Sequence, residues 1–241
     1  MEFNIKRLTE FDYPVIKKMY RECFNLKVQM SEIERLFSQA IGYIAFTNSG
    51  DPAAYYGVFR WDLYGDRAAQ SGATMTRVKY RGRGLFTTLA KKTYEACKEE
   101  GIEYVFGFPN ENSYPGFVKL RWKWHGNMWK FTIKNKVFPL VELLSMNSVT
   151  RNWYKNYWGC IPGIKVDTHL LIGENMPIES MTDLAKTIKA GKTIVMVNTF
   201  HPLYNTMKDH PKERSLPIGY FPITKDMPKD IPLSQSNSDT W

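Results

Sequence analysis

Cysteine is scarce in this 241-residue chain: Cys23, Cys97 and Cys160 make an odd number with no short spacing between them. That argues against a disulfide framework and fits a reducing compartment. No stretch approaches the roughly 20 apolar residues of a membrane span, and the opening MEFNIKRLTE lacks the basic-then-apolar pattern of a secretory leader. The expectation is a cytoplasmic protein with no membrane span. His125, His169, His201 and His210 show no metal-ligand spacing, so no metal is expected. There is no G-x-x-x-x-G-K-[ST] stretch and no G-x-S-x-G elbow, which sets aside Walker-type nucleotide binding and serine hydrolysis. Internal repeats and low-complexity segments are also lacking.

Positive charge is plentiful. Thirty-three Lys and Arg against 24 Asp and Glu leave a formal charge of +9, which favours polyanionic or phosphorylated partners. The basic residues are scattered, with no run of five, so a nucleic-acid surface is not expected.

Along the chain, FNIKRLT alternates as a first strand. Asp12 is placed to cap a helix through Val15, Ile16, Met19, Tyr20 and Cys23, and Ser31–Glu34 reads as a capping box for a second helix. YIAFT, the turn NSGDP and AAYYGVFRW form a predicted hairpin, and AAQSGATMTRV a further strand. A long helix is predicted from about residue 84 to 100, with Phe86, Leu89, Ala90, Thr93 and Cys97 on one face and Gly101 at its end. Then follow the strand IEYVFGF, the loop and short helix NENSYPGFVKL, and the strand KWHGNMWKFTI. Beyond residue 134, THLLIG, TIVMVNTF and SLPIGYFPI resemble strands, and SMTDLAKTIKAG a helix. The fold class is mixed α/β with a right-handed crossover around the long helix.

The stretch MTRVKYRGRGLFTTLAKK gathers basic residues and two glycines where strand turns to helix. A helix N-terminus offers unpaired N–H groups and a partial positive charge. Gly82 and Gly84 allow the backbone to curl so that those N–H groups converge on one anion. Lys79, Arg81 and Arg83 would add charge-assisted hydrogen bonds, and a pyrophosphate suits such a cradle. By itself the stretch also fits a solvated turn, since Gly-rich turns open many helices.

Read from Arg81, RGRGLF resembles the Q/R-x-x-G-x-G/A motif of the GNAT superfamily of acyl-CoA-dependent N-acyltransferases. The resemblance continues through IEYVFGF, with Asn110 at the place of the family's frequent asparagine, and covers a little over half the chain. RGRGLFTTLAKK with GFPNENSYPGF looks most like the acetyltransferases of surface-glycan, amino-sugar biosynthesis. The resemblance implies a GNAT-like mixed sheet flanked by helices, with a C-terminal α/β extension. It also implies acetyl-CoA as co-substrate, bound through Thr76, Val78, Arg81, Gly82, Arg83, Gly84, Leu85, Phe86, Thr87 and Asn110, with a backbone N–H near Val78 polarising the thioester carbonyl.

Two positions depart from the family pattern. Phe86 replaces the final Gly or Ala, so its ring must turn into the core. Phe117 stands where many members carry the tyrosine that protonates the leaving thiolate, and Tyr114, one helical turn earlier, is the candidate substitute. Candidates for the base are Glu111, in the loop after IEYVFGF, Asp62, in RWDLYGD, and His125, between Trp124 and Gly126. Each has a plainer reading: a solvated loop carboxylate, a turn residue and a packed histidine, respectively.

The expected organisation is a GNAT-like acyl-CoA-binding domain over 1–134, an aromatic connector over 135–165, and an extension over 166–241 that completes the sheet or forms an acceptor lobe. Trp153, Tyr154, Tyr157 and Trp158 read as connector packing, an oligomer interface (a homodimer being the expected form) or a stacking surface for a sugar or nucleobase. The expected activity is acetyl transfer from acetyl-CoA to a primary amine by direct attack in a ternary complex, the acceptor implied by the resemblance being a nucleotide-linked amino sugar of a surface glycan. The alternative is a non-catalytic nucleic-acid-binding or regulatory module on the same fold.

Overall fold

The structure is a computed structural model that describes residues 2–134, 192–201, 204–205 and 208–233. Strand β1 (Phe3–Arg7) leads through a 3₁₀ turn at Glu10–Asp12 into helix α1 (Tyr13–Phe24) and helix α2 (Met30–Phe37). Strands β2 (Ala40–Thr47), β3 (Pro52–Leu63), β4 (Asp66–Ser71) and β5 (Met75–Thr76) follow. Helix α3 (Leu85–Glu99) crosses to β6 (Tyr104–Gly107), and the short α4 (Tyr114–Lys119) precedes β7 (Lys123–Lys134). Strands β8 (Lys192–Val197) and β9 (Lys212–Pro222) come from the C-terminal part. Among the described residues, no helix is long and apolar enough to cross a membrane.

Helix α1 starts after Asp12 as expected, but the capping of both α1 and α2 differs from the sequence reading. Asp12 does not cap α1 with its side chain; its carboxylate accepts from the Thr9 N–H at 3.0 Å and the Thr9 hydroxyl at 2.9 Å, closing the 3₁₀ turn, and it pairs with Lys6. Helix α2 is capped at Gln29, two residues before Ser31, because Gln29 is extended and its N–H donates to Glu32 at 2.8 Å. The connector expected at 135–165, and the elements THLLIG and SMTDLAKTIKAG, lie outside the described residues.

The chain forms two compact units: Met1–His125 with Ile218–Pro228, and Gly126–Pro217 with Lys229–Trp241. In the first unit β1, β2, β3 and β4 are successive antiparallel neighbours. β6 joins β4 in parallel, from Ala68↔Tyr104 to Gln70↔Phe106. β9 then covers the free edge of β6, from Tyr104↔Pro222 to Gly107↔Gly219. Residues from the C-terminal part of the chain thus complete this sheet.

Period-two alternation sorts the side chains onto two faces. One face, including Tyr56, Val58, Ala69 and Val105, packs on the Leu85, Leu89, Ala90, Tyr94 and Cys97 stripe of α3. The other, including Ile44 and Tyr55, packs under Ile16, Met19, Ile33 and Phe37 of α1 and α2. Burial pushes the Cys97 thiol up to about 12, as expected of a core cysteine.

In the second unit β7 pairs antiparallel with β8, from Trp129↔Val197 to Lys134↔Lys192. Asn198, almost fully buried, donates from Nδ2 to the Ile231 carbonyl at 2.7 Å and accepts from the Leu233 N–H at 3.0 Å. The Lys212 ammonium lies 4.7–5.7 Å from the ring centres of Tyr204, Trp129 and Phe131. Burial depresses the imidazole of His201 to about 3.

Candidate active site

The stretch read as one strand, AAQSGATMTRV, is broken. β4 ends at Ser71, which is registered with Val58, yet β5 resumes with Met75 opposite Tyr55. Between these pairs two residues on β3, Tyr56 and Gly57, are therefore matched by three on the other side, a one-residue bulge at Gly72–Thr74, where Ala73 takes φ +52°. Beyond Gln70↔Phe106 the two central strands part company. β5 stays on β3, while β6 continues on β9 through Gly107↔Gly219. This end of the sheet is where an open α/β fold takes its ligand.

Helix α3 returns antiparallel to the strands it joins, so its N-terminus lies at the same end. A 3₁₀ turn at Val78–Tyr80, closed by Tyr80 N–H to Arg77 C=O at 2.8 Å and Arg81 N–H to Val78 C=O at 3.2 Å, leads into it. Gly82 and Gly84 both have φ +74°, and a Cβ at either would meet nothing within 4 Å. What glycine supplies here is the left-handed backbone, not close packing. The first intrahelical bond runs from Thr88 N–H to Gly84 C=O at 3.0 Å. The N–H groups of Leu85, Phe86 and Thr87 therefore precede the helical ladder, at the positive end of the dipole. Thr87 Oγ1 donates to the Gly84 carbonyl at 2.9 Å and Arg81 Nε to the Thr76 carbonyl at 3.3 Å, bracing the loop from both sides. Arg83 is exposed between the two glycines.

Lys79 is engaged differently from the sequence reading. Its ammonium is 2.7 Å from Asp51, which also accepts from the Tyr80 hydroxyl at 2.7 Å and from Arg77 Nη1 at 2.6 Å. Arg77 further reaches the Pro52 carbonyl at 2.7 Å and Glu22 of α1 at 2.5 Å. Lys79, Tyr80 and Arg77 together hold the Asp51 carboxyl well below the usual carboxylate range. These charges fasten the approach to α3 onto the β2–β3 turn and α1. In sequence Asp51 reads only as part of the turn NSGDP, because nothing local announces partners more than 25 residues away.

Phe86 turns inward, edge-on to Tyr56 at 5.1 Å and to Phe117 at 5.2 Å. Space for its ring comes from Gly116, where a Cβ would lie 2.5 Å from Phe86 Cε1. Phe117 is buried at 4 % exposure, with its ring centre 4.1 Å from that of Trp122, so its position belongs to the core. Tyr114 is 40 % exposed and stacks on Trp124 at 4.7 Å, with 21° between the planes.

Asn110 shapes the loop after β6. Its Oδ1 accepts from the N–H groups of Asn112 at 3.0 Å and Ser113 at 3.1 Å, turning the chain into α4. Glu111 is exposed in that turn, at the end of the sheet where β6 finishes. His125 lies against Tyr220, their ring centres 6.4 Å apart. Asp62 sits elsewhere: its Oδ1 accepts from Gly65 N–H at 2.9 Å in the β3–β4 turn, at the opposite end of β4 from the parting. The fold thus gathers Thr76, Val78, Arg81–Thr87, Asn110, Glu111 and Tyr114 at one end of the sheet, with Asp62 at the other.

Comparison with known proteins agrees with this geometry. The model of the acetyltransferase (GNAT) domain matches residues 4–123. Among solved structures, an Enterococcus faecalis protein described as a probable N-acyltransferase superposes with a TM-score of 0.65. It is 10% identical, and the match covers 93% of this chain and 73% of that one. The glucosamine N-acetyltransferase region of a fungal multi-domain β-N-acetylglucosaminidase superposes with a TM-score of 0.59 at 11% identity, covering 91% of this chain and 38% of that one. No curated protein matches. With its parted sheet, left-handed glycines and matching family model, the chain carries an acetyltransferase domain of the GNAT family.

Proposed function

We propose that this domain moves an acetyl group from acetyl-CoA to the primary amine of a hydroxylated small molecule, an amino sugar or its nucleotide-linked form. One observation carries the cofactor half of this reading: the left-handed pair Gly82 and Gly84 opens α3 at the end of the sheet where β4 and β6 part. The N–H groups from Gly82 to Thr87 suit the two phosphates of the coenzyme, with Arg81 and Arg83 adding charge. The backbone where the extended Thr76–Arg77 segment enters the turn at Val78 suits the thioester carbonyl, whose developing negative charge an N–H would stabilise.

The transfer is direct. The neutral amine attacks the carbonyl carbon, the C–S bond breaks, and the thiolate leaves. Holding both substrates in one complex supplies much of the rate gain. Glu111 and His125 are the groups to take the ammonium proton, directly or through water, and Tyr114 the group to return one to sulfur. Support for Glu111 and Tyr114 is their place on the loop after β6. The fold shared with the fungal glucosamine N-acetyltransferase region makes amino sugars the first acceptors to try.

Calorimetric titration with acetyl-CoA tests the cofactor half. Binding is expected for the wild type. Gly84→Ala, which forces an alanine to φ +74°, should weaken it about tenfold by straining the cradle. Thiol release with a panel of amino sugars then tests the acceptor half. Absence of binding heat at millimolar acetyl-CoA would sink the whole reading.

A further inference from the structure

At the level where β4 and β6 part, one row of side chains crosses the sheet on the face opposite α3. Phe59 of β3 is registered with Gln70 of β4, Gln70 with Phe106 of β6, and Phe106 with Tyr220 of β9. Directly registered residues point to the same face, so these four lie side by side. Trp61 and Phe108 stand edge-on to Phe106, at 6.4 and 6.0 Å between ring centres. In the middle of these rings sits one primary amide. Gln70 is 4% exposed, and among the described residues its Nε2 has no hydrogen-bond partner.

A buried amide nitrogen with two unused N–H donors is costly. Such a group calls for an explanation in the molecule's function. Gln70 is the last residue of β4 paired with β6, so it stands where the sheet opens. The nearest carboxylate on the same face of β4 is Asp66, four residues back, and it is taken by Lys225 and the Tyr104 hydroxyl.

We propose that Gln70 is an acceptor-binding residue, its carboxamide N–H groups hydrogen-bonding an uncharged oxygen of the amine substrate whose carbon face rests on Phe59 and Trp61. An anionic oxygen would pay for desolvation among these rings without a counter-charge, whereas a hydroxyl satisfies the amide at no such cost. The chemical class favoured is a polyhydroxylated amine, because its C–H faces suit aromatic rings and its hydroxyls suit the amide. This rests on the acetyl-transfer reading and names the acceptor's chemistry within it.

Gln70→Leu tests the idea in two ways. The first is thermal: if the amide is unsatisfied in the free protein, a leucine of similar size leaves Tm unchanged or raises it. A fall of several degrees would mean that the amide is already bonded within the fold, and would overturn the proposal. The second is kinetic, using thiol release from acetyl-CoA with glucosamine, glucosamine 6-phosphate, spermidine and a lysine peptide as probes. Glucosamine is expected to be used best. Gln70→Leu should raise its KM at least about tenfold while the Kd for acetyl-CoA stays put. Preference for spermidine or the peptide, or an unchanged KM, overturns the assignment of Gln70. Failure of acetyl-CoA to bind the wild type overturns the acetyl-transfer reading instead, and the thermal comparison still reads the state of the amide.

Discussion

A bulky phenylalanine at the motif position usually held by a small residue is accommodated by one glycine on another helix. A methyl at Gly116 would press on the ring of Phe86, which Tyr56 and Phe117 confine. Gly116→Ala is therefore expected to destabilise the protein by about 1–3 kcal/mol. In a Phe86→Ala background the ring is gone, and the same change should gain up to about 1 kcal/mol of helix propensity. Urea titration of the four proteins reads the reversal, and equal effects in both backgrounds would refute the coupling. Asp51 makes a second prediction. Its folded-state carboxyl is depressed, so its stabilising contribution is complete above the unfolded value of about 4 and is lost as pH falls through the folded one. The stability gap between wild type and Asp51→Asn should be widest near neutrality and shrink below about pH 4. A gap of constant size from pH 7 to pH 3 would show that the charge clamp contributes nothing.

Helix α3 shows how an element acquires a function from its ends. Its apolar stripe fixes it against the sheet, and its first turn, opened by Gly82 and Gly84, is left facing the parting of the strands. Loop and helix were legible because their signals are local: glycine spacing, a capping pattern, a helical period. The bulge between β4 and β5 was not. GATMT continues the alternation of a strand, and only the competing registers against β3 and β6 force the extra residue. Gln70 was likewise invisible as a site residue, since in sequence it is one polar residue in a half-polar strand. Its meaning comes from the rings that tertiary pairing sets around it. Phe117 illustrates the reverse case: the resemblance marks a missing hydroxyl, and the structure packs that ring into the core against Phe86 and Trp122.

At the scale of the whole chain, the first unit depends on residues far downstream. β9 supplies the edge partner of β6, and Phe221 stacks on Tyr94 of α3 at 4.5 Å. A chain ended at residue 134 would leave β6 as an exposed apolar edge and uncover that face of α3. It is expected to be insoluble or molten, with circular dichroism showing no cooperative melt. A soluble 1–134 fragment that binds acetyl-CoA would disprove this dependence. The second unit carries its own pH signature. With its imidazole depressed to about 3, buried His201 contributes stability that is complete above about pH 6.5 and is lost progressively as pH falls towards 3. His201→Gln should flatten the denaturation profile across that window, and an unaltered slope would count against the assignment.

The sequence by itself determined the order of helices and strands through β7, apart from the break between β4 and β5, and the glycine-opened start of α3. These follow from short-range rules of period, capping and backbone freedom, which act within a few residues. Tertiary structure alone decided the rest. It assigned Lys79 to Asp51, set Asp62 at the far end of the sheet and parted β4 from β6. It also left one amide, Gln70, among aromatic rings. Each of these depends on which strands become neighbours, and that choice is made by the burial of whole faces.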